Sequence, residues 1–333
     1  SIFSKEMVAL ETLCLLNAWV GKQHGKMVLD ALASWHIAPG TIDMIASHGQ
    51  TIYHAPKSLH PNSEYDPATL QIGDGDHIAV TTGILTLSDF RQKHIAAGGE
   101  GAPLAVYGDY LLCNHPTENR LLLNMGGIAN FTYLSAGCSL DQVFSTDTGT
   151  GNTLMDAYTR AYFAPLAYDK DGAIAAAGKI NAALLHELKA HSFFTLDLPK
   201  TIGPELFNLE FLEKAQKASH TAELSPEDVM ATLNRFSAET IADCIQSSIP
   251  AGTKFNMYSS GGGMHNPVLM GHLTSLLPDA TLYSSDILWI NPDAKEAILF
   301  ALLANEAVSG TALFAGGHAT KIQITKGKIS FPT

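Results

Sequence analysis

Apolar residues recur at helical spacing almost from the first residue. Leu10, Leu13, Leu16 and Val20 share one broad face, interrupted near its edge by Asn17. This predicts an opening helix and a second helical stretch to about Trp35. The segment IDMIASHGQ (42–50) then reads as a buried strand running into a loop. Residues 54–69 carry three prolines and no periodicity, which predicts a loop or flap. A short helix near Gly75–Val80 and a strand through GILTLSDF follow, and the second half of AAGGEGAPLAVYGDYLLC is helical.

In RLLLNMGGIANFTYLS (120–135) the pattern turns to strands, and Gly126–Gly127 marks a bulge or a close backbone approach. Helical periodicity dominates from Thr153 to about Ile249. Its clearest start signal is SPED, with Ser225 as N-cap, Pro226 at the first helical position and acids in the first turn. Residues 254–309 alternate strand, glycine-rich turn, helix, strand and helix, and KIQITKGKISF suggests a hairpin around Lys326–Gly327. Strands alternating with helices give an α/β protein with mixed sheets. The preferred boundary divides residues 1–118 from 119–333.

Composition adds bounds. The chain has 333 residues, 46% of them hydrophobic, enough for two cores. A net charge of −12 gives no electrostatic case for nucleic acid or an anionic membrane as partner. No apolar run is long enough to span a membrane. Cys14, Cys113, Cys138 and Cys244 form no CxxC pair, which suits a reducing cytoplasm and a buried structural role. The 14 histidines include no HExxH pattern, so a zinc enzyme is disfavoured.

Several stretches carry candidate chemistry. GGGMHNP (261–267) puts three glycines between a strand and a helix, where backbone can approach a ligand and helix N–H groups are unpaired; a tight turn set by sterics alone is the competing reading. NMGGIAN (124–130) is either a bulged hairpin or an amide-rich phosphate contact. Neither a Walker loop nor a GxGxxG string occurs. SHGQT and SDFR follow strand ends, so His48, Gln50, Thr51, Asp89 and Arg91 compose a polar cluster suited to a sugar with an acid group; an Asp89–Arg91 salt bridge is the plainer alternative. In DTGTGN, Asp147 stands before a helix beginning near Thr153. The string reads as a cap region, with Asn152 or Thr150 capping, or as a base beside phosphates. Glu296 is a first-turn helix acid or a site residue.

Taken in order, HGQT, LQIGDGDHIA, DFRQKHIAAGGEGAPL, NMGGIAN, DTGTGN, YDKDG, TIGPELF, GGGMHNP and EAILFALLA span nearly the whole chain. Each string is weak to moderate by itself, but nine in this order resemble the anhydro-N-acetylmuramic acid kinases of the sugar kinase, heat-shock chaperone and actin ATPase superfamily. The resemblance implies a two-domain actin-like ATPase (ribonuclease H-like) fold with mixed sheets and a central cleft, ATP and Mg2+ as cofactors, and a small amino-sugar substrate. It also implies that the anhydro ring opens as the sugar is phosphorylated, with Asp147 as catalytic base. Asn124, Gly126, Gly127, Asn130, Gly261, Gly262, Gly263 and Asn266 would contact ATP. His48, Gln50, Thr51, Asp89, Arg91, Thr148 and Glu296 would contact the sugar. A homodimer in the cytoplasm is the family expectation.

Departures from the family pattern are Thr150 for Pro, His94 for Asp, Glu100 for Gln and Pro204 for Arg. The family's G-T-S-x-D-G phosphate loop has no counterpart in residues 1–333, and the chain opens on a segment that resembles the family's interior. Two expectations follow: the first strands and phosphate loop stand outside this sequence, or this member does not hold ATP in the usual way. A sugar-binding or regulatory relative without turnover is the second reading.

Overall fold

The computed structural model describes residues 2, 5, 7–55, 57, 64–99, 101, 104–203, 206–288, 294–310, 314–315, 322–323 and 326–333. Two compact units divide the chain: Ser1–Leu111 with Asp293–Thr333, and Leu112–Pro292. The chain passes from the first unit to the second at Leu111–Leu112, whereas the sequence reading put one boundary at 118/119. Its pattern did not anticipate that the chain from Asp293 onward joins the first unit.

The opening helices are one, α1 (Leu10–Ser34). Strands β1 (Ile45–Ser47), β2 (Gln50–Ala55) and β3 (Ala68–Ile72) follow, then α2 (Gly75–Thr82), β4 (Thr86–Ser88), α3 (Gln92–Ala96) and α4 (Ala105–Cys113). Gly21 and Gly25 let α1 approach α2 closely. A Cβ at Gly21 would stand 2.6 Å from the Asp74 carbonyl oxygen, and one at Gly25 would stand 2.9 Å from the Thr81 Cβ. Asn17, the interruption in the apolar face, accepts a hydrogen bond from the Gly73 amide through Oδ1 (2.8 Å). The polar residue thus ties the helix to the loop beneath it. Strands β2 and β3 pair antiparallel, so both ends of the proline-rich stretch expected as a loop are strand.

The second unit is a five-stranded sheet covered by helices. Strands β5 (Arg120–Met125), β6 (Ile128–Leu134) and β7 (Phe144–Thr150) form an antiparallel meander. Next come α5 (Thr153–Tyr162), α6 (Ala173–Ala177), α7 (Ala182–Lys189), α8 (Leu209–Ala218) and α9 (Pro226–Ser248). Strand β8 (Phe255–Ser260), α10 (Pro267–Leu276) and β9 (Ala280–Ser284) complete the sheet in the order β7-β6-β5-β8-β9, with β8 parallel to β5 and β9 parallel to β8. An antiparallel meander extended by parallel strands beside its first strand is the ribonuclease H-like arrangement expected.

Helix α9 is the keel of this unit. Ser225 caps it by accepting from the Asp228 amide, with Pro226 in the first turn, as the sequence signalled. One side of α9, including Ala238, Ile241 and Ile245, packs with Leu121, Leu123, Met125 and Phe131 of the sheet and with Leu269 and Leu273 of α10. The opposite side, including Val229, Leu233 and Phe236, packs with Leu154, Leu184, Phe207 and Leu212. A helix buried on both sides shows little 3.6-residue contrast, so only its cap and length are plain in the sequence.

Helix α11 (Lys295–Ser309) and strands β10 (Phe314–Ala315), β11 (Ile322–Gln323) and β12 (Lys328–Ser330) belong to the first unit. The terminal hairpin suggested around Lys326–Gly327 is not formed by β11 and β12. Strand β11 pairs with β10, while β12 adds antiparallel to β4, extending the sheet β1-β4-β12. Of the four cysteines, Cys14 is exposed and the other three are buried. Among the described residues, no helix is long and apolar enough to cross a membrane.

Candidate functional site

The candidate nucleotide side lies at one end of the five-stranded sheet. Met125 and Ala129 point into the core beneath the sheet, so their neighbours Asn124 and Asn130 point to the opposite face. Cross-strand register then lines up a polar row: Ser260 beside Asn124, Asn124 opposite Asn130, and Asn130 opposite Asp147. Directly opposed residues present their side chains on the same face of a sheet. Asp147 therefore ends a row of hydroxyl and amide groups drawn from four adjacent strands.

A bulge makes this alignment. Ala129 pairs with Gly149 and Asn130 with Asp147, so Thr148 is the extra residue on β7. The Thr148 side chain is fully buried and donates to the Ala129 carbonyl at 3.1 Å. Its hydroxyl thus faces inward and is committed to the protein. Asp147 lies within the strand, not in a turn preceding the helix as its sequence context suggested. Nor does Asn152 cap α5 through its side chain; that amide donates to the Met125 carbonyl at 3.0 Å.

Segment 200–202 runs along the edge of β7 and fixes the acid. The Asp147 amide donates to the Lys200 carbonyl (2.9 Å), and the Ile202 amide donates to Asp147 Oδ2 (2.9 Å). Burial pushes the Asp147 carboxyl above the ordinary aspartate range, and the Ile202 N–H opposes part of that rise. Oδ1 accepts no hydrogen bond among the described residues, leaving one basic oxygen beside the amide row. Lys200 is itself buried, with its ammonium donating to the Phe193 carbonyl (2.9 Å) and lying 4.4 Å from that ring's centroid. The sequence reading singled out TIGPELF but missed Lys200, because a lysine just before a turn carries no motif.

Two glycine turns flank the row, and their glycines divide into two kinds. At Gly127 a Cβ would meet Thr153 Oγ1 at 2.7 Å, at Gly261 (φ +81) the Met125 carbonyl carbon at 2.7 Å, and at Gly263 the Met125 Cβ at 2.7 Å. Protein packing accounts for those three. At Gly126 the nearest atom would be 3.6 Å away and at Gly262 3.5 Å, and neither has a positive φ. Among the described residues, nothing demands glycine at either position. Both turns are stitched together. The Gly151 and Asn152 amides donate to the Gly127 and Gly126 carbonyls at 2.8 and 2.9 Å. Asn266 caps α10, its Oδ1 accepting from the Val268 and Leu269 amides (both 3.1 Å), so its side-chain oxygen is committed to the helix.

In the first unit, His48, Arg91 and Glu296 come together. Arg91 Nε donates to His48 Nε2 at 3.0 Å and Nη1 donates to the Gly101 carbonyl at 2.9 Å. Burial lowers the His48 pKa, and the Arg91 charge lowers it further against an opposing pull from Glu296. Burial likewise lowers Arg91, again opposed by Glu296. Asp89 does not pair with Arg91, the plainer alternative above; it bonds Lys328 of β12 at 2.5 Å. Gln50 opens β2 and is exposed, and the Thr51 hydroxyl accepts from Gln71 (3.1 Å). His94, one of the departures, is buried and accepts from the Gly101 amide at 3.1 Å, bracing the same turn that Arg91 grips. The departures at Glu100 and Pro204 lie outside the described residues.

The family model for anhydro-N-acetylmuramic acid kinase matches residues 1–319. The chain is 57% identical to the anhydro-N-acetylmuramic acid kinase of Pseudoalteromonas atlantica over 334 aligned residues, covering 100% of this chain and 83% of that protein. It is 40% identical to the protein of the same name from Xanthomonas campestris pv. campestris, covering 92% of this chain and 77% of that one. Among solved structures, it is similar to a ROK family glucokinase from Streptomyces griseus, at 11% identity and a TM-score of 0.34, covering 84% of this chain and 86% of that chain. With a family model spanning nearly the whole chain and relatives of such identity, the protein belongs to the anhydro-N-acetylmuramic acid kinase family.

Proposed function

We propose that the protein phosphorylates 1,6-anhydro-N-acetylmuramic acid with ATP and opens its anhydro ring with water, giving N-acetylmuramic acid 6-phosphate. Besides family membership, one observation carries the reading: the row Ser260–Asn124–Asn130–Asp147, ending in a carboxylate with one uncommitted oxygen and raised proton affinity. A base works best when its pKa approaches the working pH, and burial moves Asp147 in that direction.

Asp147 Oδ1 would take a proton from the water that attacks C1. As the new C1–O bond forms, the C1–O6 bond breaks, and the freed O6 bonds to the γ-phosphorus while the bond to the leaving ADP oxygen breaks. The Ile202 amide holds the other carboxylate oxygen, so the base keeps its aim through the proton transfer. Gly126 and Gly262 offer backbone without side chains to the phosphates, and Asn124 and Asn130 offer amide donors. Among the described residues, no three His, Cys, Asp or Glu side chains converge on one point. Mg2+, bound with the nucleotide, would supply charge neutralisation at the phosphates. His48, Arg91 and Glu296 would serve the sugar, a small soluble metabolite of cytoplasmic peptidoglycan recycling.

The test is turnover by Asp147→Asn. Replacing a general base typically costs about 10²–10⁴-fold in rate. Product is read as the 6-phosphate by mass, with ATP affinity measured in parallel. Turnover within about tenfold of wild type would remove Asp147 as the base. A wild-type protein that forms no 6-phosphate would refute the kinase reading.

A further inference from the structure

Lys326 is a buried cation that the phosphoryl-transfer reading leaves unused. It precedes Gly327, which turns (φ +98) against the Phe90 ring and the Ser88 carbonyl, one strand end away from Arg91. Lys326 is only 5% exposed. Its ammonium lies 4.5 Å from the centroid of the Tyr107 ring and makes no hydrogen bond or ion pair among the described residues. An ammonium withdrawn from water without an anion is costly, and a ring face offsets only part of that cost. A group of this kind persists where a ligand supplies the missing charge.

The surroundings identify that ligand. Lys326 faces Tyr107 of α4 and feels the charge of Arg91, which in turn interacts with His48 and Glu296. Tyr107 is pushed up to about 12, by burial and then by Glu306, so it stays neutral. Asp89 is already taken by Lys328. Arg91 commits Nε to His48 and donates through Nη1 to Gly101, so its Nε edge cannot grip a carboxylate at two points. Lys326 adds a further donor, as a point charge.

We infer that Lys326 and Arg91 form an anion subsite that takes the carboxylate of the sugar, the group separating a muramic acid from a neutral amino sugar. The inference rests on the substrate class proposed above. Burial, then the Arg91 charge, lowers the Lys326 pKa to about 8. Affinity for the acid sugar is therefore present below that pH and falls as Lys326 loses its proton.

Calorimetry with the whole protein decides it, using 1,6-anhydro-N-acetylmuramic acid and its neutral counterpart, 1,6-anhydro-N-acetylglucosamine. Lys326→Met should weaken the acid sugar by about tenfold to a hundredfold at about pH 6.5 and leave the neutral sugar within roughly twofold. Wild type should lose affinity for the acid between about pH 7 and pH 9, a loss absent from the variant. Lys326→Arg should keep most of the affinity. The inference is overturned if both sugars weaken equally, if the acid is unaffected, if only ATP affinity falls, or if folded wild type does not bind the acid sugar. Because binding is read without turnover, a protein that binds the acid but forms no 6-phosphate would refute the kinase reading and leave the subsite standing.

Discussion

Alanine at Gly126 or Gly262 tests whether a ligand, rather than the fold, requires those glycines. A methyl at Gly126 would stand 3.6 Å from the Ile128 carbonyl oxygen and 3.7 Å from Asn124 Nδ2, and one at Gly262 would stand 3.5 Å from Asn152 Nδ2. These are ordinary contacts on backbones without positive φ, so the folded state accommodates them. Restricting the unfolded chain then favours alanine by about 0.4–1 kcal/mol. A phosphate lying against the same backbone meets the methyl directly. Crowding of that kind costs about 1–3 kcal/mol, equivalent to roughly 5–150-fold in the KM for ATP. Gly151 is the control: a Cβ there would stand 2.3 Å from the Gly126 carbonyl oxygen, and backbone cannot swing aside. Gly151→Ala should therefore cost about 1–3 kcal/mol and lower Tm by about 2–4 °C per kcal/mol. ATP titration of product formation and thermal unfolding read the two effects separately. If Gly126→Ala and Gly262→Ala fold normally and keep KM for ATP within about twofold, nucleotide does not lie against these turns.

Asp147→Asn should raise Tm at neutral pH while lowering turnover about 10²–10⁴-fold. Burial raises the folded-state pKa, so stability is lost as pH rises from the unfolded value through the folded one; the gain should vanish below pH ~3.9, where Asp147 is protonated in both states. An unchanged or lower Tm for Asp147→Asn at neutral pH would contradict burial as the cause. Glu118→Gln should do the opposite. Burial alone would raise Glu118, but hydrogen bonds from Arg120, Tyr258 and Asn256 and the Arg120 charge hold it at about 2. The stability this carboxylate contributes is present above its unfolded value and lost as pH falls through about 2. Glu118→Gln should thus lower Tm at neutral pH, by less as the medium is acidified; a pH-independent difference would assign the effect to packing. Ser225→Ala removes the cap of α9 and should cost about 1 kcal/mol, or about 2–4 °C in Tm. No change would mean water satisfies that helix end.

Local signals carried much of the architecture. The SPED cap and the hairpin at Gly126–Gly127 stand where the pattern put them, because caps and short hairpin turns are set by neighbours in the chain. Family motifs pointed to Asp147, His48, Arg91 and Glu296, and the last three share one cluster. The predicted terminal hairpin failed for a non-local reason. Strand β12 finds its partner in β4, at the far end of the sequence, and no periodicity near Lys326 encodes that choice.

The sequence by itself determined where many of the helices and strands lie, that they alternate in an α/β order, and which family they resemble. These depend on propensities and spacings within a few turns of chain. Tertiary structure decided where Asp147 points, through a bulge at Thr148 that aligns the acid with Asn130 and turns the Thr148 hydroxyl inward. It also decided that residues 200–202 hold the acid, and that Lys326 lies buried near Arg91. Each of these is a matter of register or packing between residues far apart in the chain. Their energies arise only once the partners meet, so no local stretch of sequence records them.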